Sequence, residues 1–328
     1  MKIHIFNPEN DLALADGHPG YTAPASARQM RSDLSWFPKW WAQDEDEVWD
    51  GLSSLSLHPG DEICPWGWSP ALKHQLQQAG VEEAFLPSDE ELSCLRSLSH
   101  RGTAVQALDL MRGRGLLGEA LCGHSVLCHT VDEVMAQVNR WPKALLKAPW
   151  SGSGKGLRQS TAPDLENWSV NTLRQQGSVV VEEWLDKACD FALEFWLDGK
   201  GGVEYRGLSL FFTNVNGMYM GNWLAPEVQK FQWLMQYVSP QLLMDIRQWW
   251  TDNLVQLATS DTSAYRYRGP VGIDMMLCRT GGICPCIEIN WRMTMGMVAA
   301  LLTEQGRRGK LVVEYVYGQY SADIVALV

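Results

Sequence analysis

The chain has 328 residues, a formal net charge of −11, 46% hydrophobic residues and 20% charged residues. That is ample apolar material for a buried core, so disordered, collagenous and coiled-coil classes are excluded. At roughly 150 residues per domain the length suits about two domains or one large one. No apolar run approaches the ~18 residues of a membrane span. The opening apolar run is too short for a signal peptide and meets Asn7 and Pro8 at once, so a soluble cytoplasmic protein without a membrane partner is expected. Residues 1–100 hold 16 acids against 6 bases, whereas residues 101–328 hold 22 against 21. The run from Asp44 to Glu47 reads as a solvated face. An acidic chain without a basic patch also argues against a nucleic-acid partner.

In chain order, residues 2–6 read as a short strand that breaks into a turn of capping residues before Leu12,. Residues 61–65 read as a second strand. A helix is expected over 69–80, with Ser69 as N-cap, Pro70 in the first turn and Gly80 at the end,. This alternation predicts a small α/β domain over residues 1–100, with ligand loops at the strand C-termini. Thr130 to Glu133 is a capping box that opens a helix through Asn139,. Residues 144–148 form an apolar strand carrying Lys147, followed by a glycine loop and a further strand over 157–161. Strands are expected over 179–185, 190–197, 203–213 and 218–223, with hairpin turns at 198–202 and at Asn216-Gly217,. A long helix follows over 241–258, then a hairpin of 271–278 with 283–290, then a helix over 296–305. Residues 180–290 therefore read as an α+β lobe of antiparallel strands with one long helix.

None of the eight cysteines forms CxxC, and Cys284-Pro285-Cys286 does not by itself make a zinc site,. All seven histidines precede residue 130, so no histidine serves as base or metal ligand downstream. Tryptophan pairs at 40/41, 66/68 and 249/250 can line a pocket, although core packing is the plainer reading,.

Three segments carry chemistry. In the first, Lys147 to Gly156, glycines 152, 154 and 156 can bare backbone N–H groups to phosphate oxygens,. It is not a Walker A loop, because Lys155 is followed by Gly156 rather than Ser or Thr, and not a dinucleotide fingerprint, because a strand follows it,. In the second, Glu288, Asn290 and Arg292 alternate along one strand and share a face, with Asp274 on the hairpin partner,. Two carboxylates and an amide oxygen suit a hard divalent ion, and the arginine can grip a carboxylate or phosphate bidentately. In the third, Glu182 to Leu185 ends a strand that can offer its backbone to adenine, with Asp190 and Glu194 beyond it.

In this order the three segments resemble the ATP-grasp superfamily. Lys-x-Pro-x-x-Gly-x-Gly-x-Gly is similar to its phosphate loop, and Asp-x-Met-x-Leu followed by Ile-Glu-Ile-Asn-x-Arg-x-x-x-Gly to its metal-binding hairpin. The resemblance spans roughly residues 100–300. It implies a small N-terminal α/β domain (1–100) followed by a two-lobed ATP-grasp fold, with the lid-bearing lobe over 101–180 and the metal-bearing lobe over 181–328. It further implies that Lys147 holds the α/β-phosphates and that Ser151, Gly152, Ser153, Gly154, Lys155 and Gly156 form the lid. Glu182 would accept from the adenine amino group, Glu183, Trp184 and Leu185 would line the base, and Asp190 would sit near the ribose. Asp274, Glu288 and Asn290 would hold Mg2+, with Mn2+ able to substitute, and Arg292 the reacting carboxyl or acyl phosphate. The chain departs from the family at Arg101, where a lysine is frequent, at Asp190 in place of glutamate, and at Trp291, where proline is frequent.

The implied activity is an ATP-dependent, ADP-forming ligase that joins a small carboxylate to an amine or thiol, catalysis resting on Lys147 and Arg292. A small-molecule kinase using the same cradle, or a non-catalytic nucleotide-binding module, are the alternatives. Asn7, Glu9, Asn10, Asp11, Trp66 and Trp68 are candidates for the substrate cleft, with Arg206, Asn214, Asn222 and Lys230 for the other lobe.

Overall fold

The computed structural model describes residues 1–113, 121–151, 156–214, 219–259, 266–279 and 281–326. The chain opens with β1 (Lys2–Ile5), α1 (Asn10–Asp16), α2 (Ala25–Asp33), β2 (Glu47–Val48), β3 (Glu62–Pro65) and α3 (Pro70–Gln78). The strands form a parallel sheet in the order β2-β1-β3. Parallel pairing requires crossovers, and α1 and α2 supply the first of them. Ile3, Ile5 and Ile63 pack against Leu72 and Leu76 of α3. Ser69 caps that helix as its sequence predicts, its hydroxyl accepting from the Leu72 N–H at 3.3 Å. The strand at Glu62–Pro65 is the third rather than the second, because two-residue β2 is too short to leave a periodic signal,.

Next come α4 (Asp89–Leu98) and α5 (Gly102–Gly113), then β4 (Ser125–Cys128), α6 (Val131–Val138), β5 (Ala144–Lys147), β6 (Leu157–Gln159), α7 (Leu165–Gln176) and β7 (Val179–Glu183). The four strands form an antiparallel sheet in the order β4-β7-β5-β6. Val134 of α6 and Leu165 of α7 join Leu146, Val179 and Val181 in its core. The capping box at Thr130 and Glu133 is formed.

The remaining elements are β8 (Lys187–Asp198), β9 (Val203–Thr213), β10 (Tyr219–Leu224), α8 (Glu227–Leu234), α9 (Pro240–Leu257), β11 (Arg268–Cys278), β12 (Ile283–Asn290), α10 (Met295–Glu304), β13 (Gly309–Val316) and β14 (Gln319–Val325). Their strands build a seven-stranded sheet in the order β12-β11-β8-β9-β10-β13-β14. Trp249 and Trp250 of α9 are buried with Phe191, Phe195, Val271 and Ile273 of the sheet. The apolar α10 shares a core with the N-terminal elements, where Met297, Val298 and Leu302 meet Phe6, Phe37 and Trp66. A helix apolar on every side is one buried on every side.

Two features go beyond those expectations. The long helix expected over 241–258 is formed as α9, capped by Ser239, and the shorter α8 precedes it. The β13–β14 hairpin, absent from the sequence reading, extends the sheet beyond β10. The Asn216-Gly217 turn lies outside the described residues.

The junction of β10 with β13 depends on close backbone approach. Gly221 sits at φ +137°, and a Cβ there would lie 2.4 Å from the Leu311 carbonyl oxygen. Gly221→Ala is expected to destabilise the protein by more than about 1 kcal/mol, read as a lowered urea midpoint at unchanged slope. An unchanged midpoint would show that the junction tolerates a wider spacing.

Candidate active site

The site begins with strand register. In the β11–β12 hairpin Asp274 lies directly across from Glu288, and Gly272 across from Asn290. The Asn290 side-chain N–H donates to Asp274 Oδ2 at 3.2 Å. Burial, and then the neighbouring Glu288 carboxylate, push the Asp274 carboxyl up to about 7,. Gly272, two residues before Asp274, leaves room for Thr294 and Glu194, since a Cβ there would lie 2.7 Å from the Thr294 methyl and 2.8 Å from Glu194 Oε2. Among the described residues no group of three or more His, Cys, Asp or Glu side chains gathers as a metal cage. The constellation here is two carboxylates and an amide.

Arg101, at the start of α5 and buried, joins three segments. Its Nη1 donates to the Ala148 carbonyl at 2.6 Å and to Ser151 Oγ at 2.5 Å. Its Nη2 reaches the Ser151 carbonyl at 2.9 Å and the Glu288 oxygens at 3.0 and 3.1 Å. Lys147, at the end of β5, is also buried, and its Nζ lies 2.6 Å from Glu182 Oε2. Glu182, expected to face an adenine amino group, is thus paired with Lys147, the lysine expected to hold phosphate. Gly152, Ser153, Gly154 and Lys155 lie outside the described residues. The flanks close on one another, with the Ala148 N–H donating to the Gly156 carbonyl at 2.9 Å. Gly156 sits at φ +73°, and a Cβ there would meet Ser151 at 2.8 Å.

Arg292 extends from the end of β12 to Asp11 of α1. Its Nε and Nη2 donate to the two Asp11 carboxylate oxygens at 2.7 and 2.8 Å, and its Nη1 to the Met293 carbonyl at 3.0 Å. Burial opposes the charge on Arg292, but Asp11 outweighs it, and the net shift is upward. At the expected adenine hinge, the Glu183 N–H donates to His124 O and the Trp184 N–H to Lys143 O, at 2.9 and 3.1 Å. The Trp184 ring is exposed, while Leu185 packs against the main core. Asp190 Oδ2 accepts from Lys187 at 2.5 Å and from Thr213 at 2.8 Å. The structure therefore brings Arg101, Ser151, Asp274, Glu288 and Asn290 together, ties Arg292 to Asp11, and sets Lys147 with Glu182.

A second buried polar cluster gathers Glu194, Asn222 and Lys230, which the sequence offered only as separate candidates. Glu194 on β8 accepts from the Thr294 hydroxyl at 2.8 Å, and burial raises its carboxyl to about 8. Lys230 on α8 donates to the Leu208 carbonyl at 2.9 Å, and burial lowers its ammonium to about 8. The Asn222 amide donates to Ser209 Oγ at 2.6 Å. Glutamate in a strand reads as solvent-facing, and only the packing of α10 over β8 and β9 buries it. Cys284 and Cys286 are buried on β12, and burial pushes the Cys284 thiol up to about 12, so neither is a reactive thiolate,.

The arrangement sets a loop-bearing antiparallel sheet and an acid-bearing antiparallel sheet beside a parallel α/β unit. The chain carries the ATP-grasp fold. It is similar to a D-alanyl-alanine synthetase A from Vibrio cholerae, at 14% identity, with 94% of each chain covered and a TM-score of 0.50. A phosphoribosylamine–glycine ligase from Thermotoga maritima matches at 16% identity over 95% of this chain and 80% of that one, with a TM-score of 0.47. No family model matches the sequence, and no curated protein matches it. Among the described residues no helix is long and apolar enough to cross a membrane.

Glu194 makes stability depend on pH in a defined window. Its carboxyl titrates near 8 when folded, against an ordinary value of 4.5. The stability it contributes is present below about 4.5 and is lost as pH rises through about 8. Glu194→Gln, neutral throughout, is expected to melt progressively higher relative to the parent protein as pH goes from 5 to 8. A difference in Tm that stays flat across that range would mean that Glu194 is ionised in the folded protein.

Proposed function

We propose that the protein is an ATP-dependent, ADP-forming ligase that joins a carboxylate to an amine or thiol through an acyl phosphate. The observation that carries this reading is the Asp274, Glu288 and Asn290 set on paired strands, linked through Arg101 to the flank of the glycine loop. The ATP-grasp fold supports it, as does the likeness to a protein named as a synthetase. We assign the parallel sheet to an N-terminal domain over residues 1–100, the four-stranded sheet to the lid lobe over 101–180, and the seven-stranded sheet to the metal lobe over 181–328.

The residues fit a divalent cation. Asp274 and Glu288 face each other in register, and their mutual repulsion is of the kind a hard cation relieves, with the Asn290 amide oxygen as a further ligand,. Mg2+, with Mn2+ able to replace it, would be held there and would neutralise phosphate charge. Lys147 and Glu182 neutralise one another in the free protein. A polyphosphate competes for the lysine and releases the Glu182 carboxylate to accept from the adenine amino group. Arg101, placed behind Ser151, adds fixed positive charge beside the loop. Trp184 and Leu185 flank the base, and Asp190, already oriented by Lys187 and Thr213, lies on the ribose side.

In the reaction, a carboxylate oxygen held at Arg292 attacks the γ-phosphorus, the bond to the β-phosphate oxygen breaks, and ADP leaves. The amine or thiol then attacks the acyl carbon, and phosphate departs with the nucleophile's proton. Such transfer needs positioning and charge neutralisation rather than a protein nucleophile, which agrees with the absence of histidine after residue 129.

The test is ADP release from Mg-ATP with pooled small carboxylates and amines. Glu288→Ala is expected to reduce it by about 100-fold or more, and Lys147→Ala to raise the Kd for ATP. A ligated product separates the ligase from a kinase, which would leave a stable phosphorylated one. Failure of the parent protein to bind ATP would sink the reading.

A further inference from the structure

A cavity of about 810 Å³ opens between the N-terminal sheet and the start of β11. Arg292 and Trp291 belong to its wall and also to the wall of the small pocket that holds Asp11, Glu288 and Asn290. The cavity therefore meets the proposed reacting centre at Arg292. Its volume lies in the upper part of the range for pockets that enclose drug-sized ligands. A single small amino acid at Arg292 would leave most of it unfilled.

One wall is the open edge of a sheet. β3 is the edge strand of the order β2-β1-β3, and residues 62–66 line the cavity. The Glu62 N–H donates to Met1 O at 3.1 Å and the Trp66 N–H to Ile5 O at 2.7 Å. In a parallel ladder alternate residues turn their peptide groups toward the neighbour, so the peptide groups of Ile63 face the other way, toward the open edge. The Trp66 carbonyl accepts from the Met293 N–H at 2.8 Å, which seats the inner end of this edge beside Arg292. The half-buried rings of Trp68 and Trp196 form another part of the wall. At the inner end, Asp11 and Met293 engage only part of the Arg292 guanidinium, whose five N–H donors leave others to meet a second carboxylate.

We infer that the carboxylate substrate is a short peptide, bound extended along the β3 edge. Its C-terminal carboxylate sits at Arg292, and a large apolar side chain lies against Trp68 and Trp196. Edge-strand pairing supplies affinity independent of sequence, and the aromatic wall supplies the side-chain preference. This rests on the ligase reading for the fate of the carboxylate, but the binding itself does not require turnover.

The experiment uses the full chain and the tripeptides Ala-Phe-Ala, Ala-Lys-Ala and Ala-Asp-Ala, with free alanine and glucuronate as comparators. Binding is measured by calorimetry and ADP release from Mg-ATP in parallel. Ala-Phe-Ala is expected to bind at least tenfold more tightly than the other two tripeptides and to stimulate ADP release. Trp196→Ala is expected to raise its Kd at least tenfold, Trp196→Phe to restore most of the loss, and the Kd for ATP to stay unchanged in both. Retained ATP binding also shows that each variant folds. If no tripeptide binds, the inference fails, whether or not alanine or glucuronate drives turnover. If Trp196→Ala leaves the Kd for Ala-Phe-Ala unchanged, the aromatic-wall assignment is overturned. Peptide binding without ATP binding would instead remove the ligase reading and leave the cavity assignment standing.

Discussion

A guanidinium removed from water must be neutralised where it stands, and Arg101 meets that requirement at the junction of three chain segments. Its positive charge is balanced by Glu288 of β12 and solvated by the Ala148 and Ser151 carbonyls. Each partner is thereby fixed relative to the others: the start of α5, the flank of the glycine loop and the acid-bearing hairpin. Removing one member of such a pair costs more than the pair contributes, because the remaining charge is left without its counter-charge. Lys147 and Glu182 repeat the pattern at the end of β5. The end of the proposed site that carries Lys147 and Arg101 is therefore held by ion pairs that a polyanion can compete for.

The substrate end follows a different logic. There α1 reaches in through Asp11, whose carboxylate takes two N–H groups of Arg292. The contact spans nearly the whole chain, and it is backed by apolar packing of α10 against Phe6, Phe37 and Trp66. Hydrophobic burial positions these elements, while the bidentate pair sets the orientation of the arginine. Beside this contact a cavity runs along the β3 edge, walled on its other side by the start of β11 and by Trp291 and Arg292.

Burial of like charge recurs across the acid-bearing face. Asp274 and Glu194 both lie on it, and both carboxyls are shifted upward by loss of water. Gly272 and Gly296 make this possible, since a Cβ at either position would fall within 3 Å of a Glu194 carboxylate oxygen. Natural sheets seldom bury two acids side by side without a counter-charge. Here the cost of burial is concentrated where the proposed chemistry brings in cations.

The local signals were legible because they are local. Ser69 and Thr130 mark helix starts, and the alternation of Glu288, Asn290 and Arg292 assigns three side chains to one face, since capping and pleat depend only on near neighbours,. The motif order was sufficient to point to the ATP-grasp fold, which the structure bears out. Other features depended on partners distant in sequence. Asp11 meets Arg292, Glu182 turns to Lys147, α10 buries Glu194, and β13 with β14 completes the sheet. No periodicity encodes those contacts. The residue types and their spacing by themselves determined which groups are available for phosphate and metal chemistry. Only tertiary packing decided which of them meet, because burial and charge pairing are properties of segments brought together, not of any segment alone.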